Sequence, residues 1–349
     1  MSANNTEAAK AIGEQAADDW HLRPEKHADA LPPQARPLAR MLRTPEVEAI
    51  FARYRDADVR AIAQQAKYRR MGRISIWARF MALAVGGIAL LPFEELLGFP
   101  PRGALIVAQG GAIIVSLLAA LWVIQRAHFS NWMHARAAAE IARVDLFNRI
   151  RDASSEVQPG ELALLPLKLE YFRRYQLDVQ CAFYRGRGAE HARAAGATMR
   201  WKLISLALVA VVTAAILYSL GVFGGSARWD DATTQKVAIG FMTLVSAVLA
   251  LISDTSLMDM SERNAARYAT TYANLSKLRE QFLEPVRAAA AQGDAAAVHA
   301  FIQIVNEQIA SEHREWVYIH DLAPRPEMEL LLRLPVVGRQ LAGEAPAKR

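Results

Sequence analysis

Three clusters in this sequence mix cationic and aromatic side chains closely enough to do chemistry together. Lys67-Tyr68-Arg69-Arg70 with Arg73 and Trp77 is the first, and Tyr171-Phe172-Arg173-Arg174-Tyr175 the second. Tyr184-Arg185-Gly186-Arg187 with Arg200-Trp201-Lys202 is the third. Such a mixture holds single-stranded nucleic acid: cations follow the phosphates, and aromatic faces stack on bases for about 1–3 kcal/mol each. The candidate ligand residues are therefore Arg69, Arg70, Arg173, Arg174, Tyr175, Tyr184, Arg185 and Arg187. The first cluster and Arg200-Trp201-Lys202 have a plainer reading as membrane anchors, because Lys/Arg and Trp gather beside membrane spans. The Tyr171–Tyr175 group stands too far from any apolar run for that. Its plain alternative is a helix face paired with Glu161, Glu170 or Asp178.

Catalytic motifs are scarce. The chain has no Gly-rich loop ending in Gly-Lys-Ser/Thr, no nucleophile elbow and no HExxH. His313-Arg314-Glu315 has the H-x-E of a zinc deaminase, but that site also needs a pair of cysteines, and Cys181 is the only one. A lone cysteine also excludes an intrachain disulfide. Asp254-Thr255-Ser256 lacks the second carboxylate that an aspartic protease dyad requires. Asp254 is read instead as an interfacial residue closing an apolar run. A non-enzymatic protein without cofactor or metal is expected.

The elements that must position these clusters are membrane spans. In a chain of 349 residues, 53% apolar with net charge +6, four stretches near 80–98, 103–124, 203–224 and 237–252 are almost free of charge. A span needs roughly 20 apolar residues; three runs reach that length, and Thr234-Gln235 and Ser253 extend the fourth. Basic residues crowd the ends near 67–79, 126–143 and 185–202, while the connections at 92–102 and 218–236 carry Glu94, Glu95, Asp230 and Asp231. The positive-inside bias puts both termini and residues 125–202 in the cytoplasm of a bacterial inner membrane. The expected fold is an all-α integral membrane protein: four transmembrane helices in two hairpins, 75–124 and 203–252, plus a cytoplasmic helical region. The chain reads loosely as one unit used twice.

Within the spans Gln109, Ser116, Thr243 and Ser246 are the candidate pore-lining residues, with Glu94 and Glu95 as an acidic ring at the mouth. Close helix packing is the commoner role of such small and uncharged polar residues. No charge falls at a span's midpoint, which disfavours a transporter-type relay.

Outside the membrane, 46–74 reads as a basic helix begun by Thr44-Pro45-Glu46, and 125–202 as further helices. Residues 253–320 read as a helical hairpin. One seam runs Tyr268, Tyr272, Leu275, Leu278, Phe282, and a second runs Val298, Ile302, Val305, Ile309, Trp316. Glu284-Pro285 is the expected break between the two helices, and Asp294 the expected N-cap of the second. Pro24, Pro32, Pro33, Pro37 and Pro45 predict an extended arm over 1–45. Its Trp20, Leu22, Leu31, Leu38 and Leu42 would anchor it on a neighbouring subunit, with a loosely ordered tail as the alternative. Residues 321–349 read as a C-terminal tail.

A basic-aromatic helix, a membrane hairpin with a short outer loop, an Ala/Arg-rich helix and a late Ser311-Glu312-His313-Arg314-Glu315-Trp316 together resemble the SLATT group. These are membrane effectors associated with nucleotide-second-messenger synthases in bacterial anti-phage defence. The likeness covers roughly residues 50–320, with two hairpins where the usual member has one, and the four-span form is similar to the channel-forming effector of the Hailong system. The resemblance implies a homotetrameric ion channel in the lipid bilayer, closed by oligodeoxyadenylate from a partner nucleotidyltransferase, whose opening depolarises the membrane and arrests growth. It assigns no individual pore residue. A membrane scaffold that recruits a cytoplasmic partner is the competing expectation.

Overall fold

A computed structural model describes residues 3–91, 102–126, 128–219 and 231–322, and every regular element among them is helical. In chain order these are α1 (Ala3–Ile12), α2 (Pro24–Ala30), a 3₁₀ turn (Pro33–Ala35), α3 (Arg36–Leu42) and α4 (Pro45–Leu90). Then come α5 (Arg102–Gln125), α6 (His128–Asp152), α7 (Leu164–Phe172), a π-helical turn (Arg173–Asp178) and α8 (Val179–Ser219). The last are α9 (Asp231–Asp259), α10 (Ser261–Ala291) and α11 (Ala295–Leu322). Four stretches are long and apolar enough to cross a membrane, within Pro45–Leu90, Gly103–Asp152, Leu164–Tyr218 and Thr234–Ala291. The described part of the chain divides into a core unit (residues 3–64, 130–191 and 263–322) and a span unit (65–129 and 192–262).

The core unit is built around one apolar cluster drawn from all three of its segments. Leu38, Met41 and Leu42 pack with Phe147, Leu167, Tyr171, Phe172, Val298, Ile302 and Val305, all essentially buried. Residues 3–45 are therefore part of this core, and the expected extended, subunit-bridging arm is corrected. Its prolines begin helices rather than prevent them: Pro24, Pro37 and Pro45 each sit in a first turn, where the missing N–H costs nothing. Leu22, Leu38 and Leu42 are buried in their own chain, and only Trp20 among the proposed anchors is exposed, at 42%.

The late hairpin breaks elsewhere than expected. Pro285 lies inside α10, because Leu283, Val286 and Ala290 on either side of it are held in the core and outweigh the single lost hydrogen bond. The turn falls at Gly293, whose φ of +80° suits a residue without Cβ. Asp294 Oδ1 accepts from Ala297 N–H at 3.0 Å, the expected N-cap. Val298, Ile302, Val305 and Ile309 form the predicted buried seam, whereas Phe282 is exposed. The side chains from Glu312 to Trp316 and the tail from 323 lie outside the described residues. At the C-terminus of α6, Lys168 donates to the carbonyls of Arg151 (2.7 Å) and Ala153, meeting acceptors that a helix end leaves open.

In the span unit, α4 packs against both α5 and α9. Toward α5 the contacts are Ser75 with Ser116 and Gly86 with the Gln109 side chain, continued by Tyr68 against Phe129 at the start of α6 (ring centroids 5.2 Å). Toward α9 they are Gly72 with Met258, Arg79 with Asp254, and Gly87 with Gly240. In both series one number rises as the other falls, so α4 runs antiparallel to each neighbour. A Cβ on Gly240 would stand 2.9 Å from the Gly87 carbonyl. Only glycine lets these backbones approach so closely. The apolar stretch of α8 is exposed on most sides, with Leu206, Leu208, Val211 and Tyr218 all uncovered in a single chain.

Candidate functional site

The strongest concentration of polar chemistry lies where the core unit's longest helical run bulges. Between α7 and α8, residues Arg173–Asp178 form a π-helical turn, a widening that is often found at functional positions. It turns Arg173 inward, leaving it 3% exposed. Its Nε donates to Glu170 Oε2 (2.6 Å), and its Nη1 donates to Asp178 Oδ2 (2.7 Å) and Glu14 Oε2 (3.1 Å). Its Nη2 donates to the Gly13 carbonyl (2.8 Å). Glu170 also takes both Nε and Nη2 of Arg287, at 2.6 and 2.9 Å, and Arg279 reaches Asp178 at 3.3 Å. Burial raises the Asp178 pKa and the arginines beside it oppose that.

Arg174 turns toward the N-terminal segment. Its Nε and Nη2 donate to the two Asp19 oxygens, at 2.9 and 3.2 Å, and Nη1 donates to the Ile12 carbonyl. Its guanidinium carbon stands 4.7 Å from the Tyr175 ring centroid. Tyr175 is itself buried, stacked on His27 with centroids 3.8 Å apart, and His27 Nδ1 pairs with the Tyr171 hydroxyl at 2.9 Å. Burial pulls the His27 pKa down to about 4 and pushes the Tyr175 phenol up to about 12. Below them Gln176, fully buried, accepts from Arg143 Nε (2.7 Å) and donates to Asn306 Oδ1 (3.4 Å).

This arrangement corrects the phosphate reading of Arg173, Arg174 and Tyr175. Both guanidinium groups are neutralised by carboxylates of the same chain, and the ring has no free face for a base. The alternative pairing with Glu170 and Asp178 describes Arg173 alone; Arg174 pairs with Asp19, and Glu161 holds Arg40 (2.9 Å). Tyr184 is buried too, against Tyr268 (5.6 Å). Arg185 and Arg187 are exposed, Arg187 with Glu190 at 2.7 Å.

Beside them runs a ladder of rings that sequence reasoning did not assemble: Trp20 to Phe183 (6.5 Å), Phe183 to Tyr268 (6.1 Å) and Tyr268 to His191 (5.6 Å). The spacing 183, 187, 191 on one helix face was the available signal. Trp20 could not be placed without the fold. Arg69 and Arg70 belong to the span unit, half-buried and exposed respectively.

In the span unit, the structure brings two of the four candidate pore residues together. Gln109 and Thr243 line one cavity of about 510 Å³ with Gly86, Leu90, Ile106 and Lys236. Ser116 is closed off: its hydroxyl donates to the Ser75 carbonyl (3.0 Å), and Ser75 returns the bond to Ser116 O at 3.1 Å. Ser246 is exposed on α9. Glu94, Glu95 and Asp230 lie outside the described residues, as does the side chain of Asp231. Asp254, read from sequence as interfacial, is buried at 2% side-chain exposure and accepts from Arg79 Nη1 at 2.8 Å. Among the described residues no group of three or more His, Cys, Asp or Glu could hold a metal ion. Compared with known proteins, the chain matches no family model, no curated protein and no solved structure.

Proposed function

We propose that the protein is a non-enzymatic ion channel of the bacterial inner membrane, assembled from several copies, with both termini in the cytoplasm. The observation that carries this reading is the pairing of a span unit with a separately cored helical unit, with α4 and α8 each contributing residues to both. Among the described residues of one span unit the candidate pore side chains do not align: Ser116 is consumed by Ser75, and Gln109 and Thr243 face a local cavity. The pore is therefore assigned to the meeting of copies, where the exposed apolar faces of α5 and α8 supply contact area and Ser246 supplies a hydroxyl. A homotetramer fits the resemblance to SLATT effectors.

The gating ligand is an oligonucleotide, in the Hailong-like case oligodeoxyadenylate made by a partner nucleotidyltransferase, and opening depolarises the membrane during phage infection. Its binding surface is the Trp20–Phe183–Tyr268–His191 ladder with Arg185 and Arg187. These rings lie at the edge of the core, Arg187 shares the helix face of Phe183 and His191, and Arg185 is exposed two residues before it; base stacking and phosphate contact need such a mixture. Reconstitution tests the reading. Protein-dependent ion flux from loaded liposomes, lowered by oligodeoxyadenylate and restored when Arg185 and Arg187 are neutralised, is the expected result. A correctly inserted protein that carries no flux with or without ligand would leave a recruiting scaffold.

A further inference from the structure

The cavity between α4, α5 and α9 has a composition that neither helix packing nor ion conduction explains. It lies where three helices end or begin: α4 stops at Leu90, α5 starts at Arg102 and α9 at Asp231. One end carries Lys236. The other is reached seven residues along α9 at Thr243, about 10 Å deeper at ~1.5 Å per residue. Leu90 and Ile106 beside its mouth are exposed, so the cavity opens sideways onto the same surroundings as the outer faces of the helices. For spans of this kind those surroundings are lipid. Its volume of about 510 Å³ falls within the range of sites that enclose a small ligand.

Among the described residues of the lining, Lys236 is the one that is charged. It stands at the chain's basic-poor helix ends, so positive-inside bias does not account for it. It engages other protein groups as well, and an ammonium has three N–H donors. A cation at headgroup depth and an apolar slot of Ala89, Leu90 and Ile106 beneath it, closed at its deep end by Gln109 and Thr243, match an amphiphile with an anionic head.

We propose that this cavity binds one anionic phospholipid of the surrounding bilayer, with its phosphate at Lys236 and the upper part of one acyl chain in the slot past Leu90 and Ile106. The proposal rests on the membrane reading above and not on channel activity.

Native mass spectrometry of the full-length protein, released from detergent containing equal phosphatidylglycerol and phosphatidylethanolamine, tests it. The wild type is expected to retain phosphatidylglycerol about fivefold better, the equivalent of ~1 kcal/mol for one lysine near an anionic head. Lys236→Gln should abolish the preference and Lys236→Arg keep it. Ala89→Trp, which fills the slot, should lower retention of both lipids; circular dichroism and elution volume report whether each variant is folded. Equal retention of the two lipids by the wild type, a preference unchanged in Lys236→Gln, or a mass identifying only detergent or fatty acid would overturn the site. Release of wild-type protein from membranes by alkaline carbonate would overturn the membrane reading itself.

Discussion

Arg173 shows how a residue's type can suggest one use and its surroundings another. A guanidinium beside two aromatic rings suits a phosphate with stacked bases. Here it meets buried Glu170 and Asp178, with the exposed Glu14 at the rim of the network. Removing one partner of a buried ion pair strands the other charge, at a cost of about 3–5 kcal/mol. Arg173→Ala should therefore lower the unfolding temperature markedly in detergent. A normal melting curve with selectively weakened binding of single-stranded DNA would restore the ligand role.

His27 adds a pH dependence at the same place. Burial, the largest influence, holds its pKa near 4 against an ordinary 6.5. Above pH 6.5 the ring is neutral in both folded and unfolded chains. As pH falls below 6.5 the unfolded chain takes up a proton that the folded chain refuses, so stability drops until about pH 4, by about 3 kcal/mol in all. Thermal melts between pH 7 and 4 should show this loss, and His27→Gln should flatten it. An equal slope in the variant would assign the loss to other groups.

At the scale of elements, the N-terminal segment is the surprise. A run of five prolines reads as an arm, yet three of them open helices that bury Leu22, Leu38, Met41 and Leu42. Gly13, Glu14 and Asp19 also satisfy the two arginines of the π-helical turn. Deleting residues 1–44 should then expose the core and leave the unit open to protease, beyond any effect on assembly. A truncated chain that resists trypsin as well as the full one would show the segment to be an accessory. The span unit teaches a related lesson. Ser116 was legible as a packing residue, but neither its partner Ser75 nor the close meeting of Gly87 with Gly240 was. A fourth span is expected beside its sequence neighbour, and here its recorded contacts go to the first.

For the whole molecule, the proposed orientation rests on the distribution of Lys and Arg along the sequence. Cysteine labelling tests it: Leu97→Cys and Arg228→Cys should react from outside intact cells, and Arg187→Cys only after permeabilisation. Cys181 is buried, with burial raising its thiol to about 11, so it contributes little background and need not be replaced. Reaction at position 187 in intact cells would reverse the topology and move the proposed nucleotide surface to the wrong side of the membrane.

By itself the sequence determined the helical class, the four long apolar stretches, the seam from Val298 to Ile309 and the cap at Asp294. Each follows from a period, a run or a cap lying within a few residues of chain, where local physics decides. The tertiary structure alone decided which of two competing partners each charge would take. Arg173 sits 159 residues from Glu14, and Arg79 lies 175 from Asp254; no local rule ranks a phosphate or a headgroup against a carboxylate that only folding brings near. It also decided that the prolines start helices rather than prevent them, because burial of the leucines between them depends on surfaces supplied by α7 and α11. The same holds for the ladder of Trp20, Phe183, Tyr268 and His191, whose rings come from three distant segments and share a surface only once the core has formed.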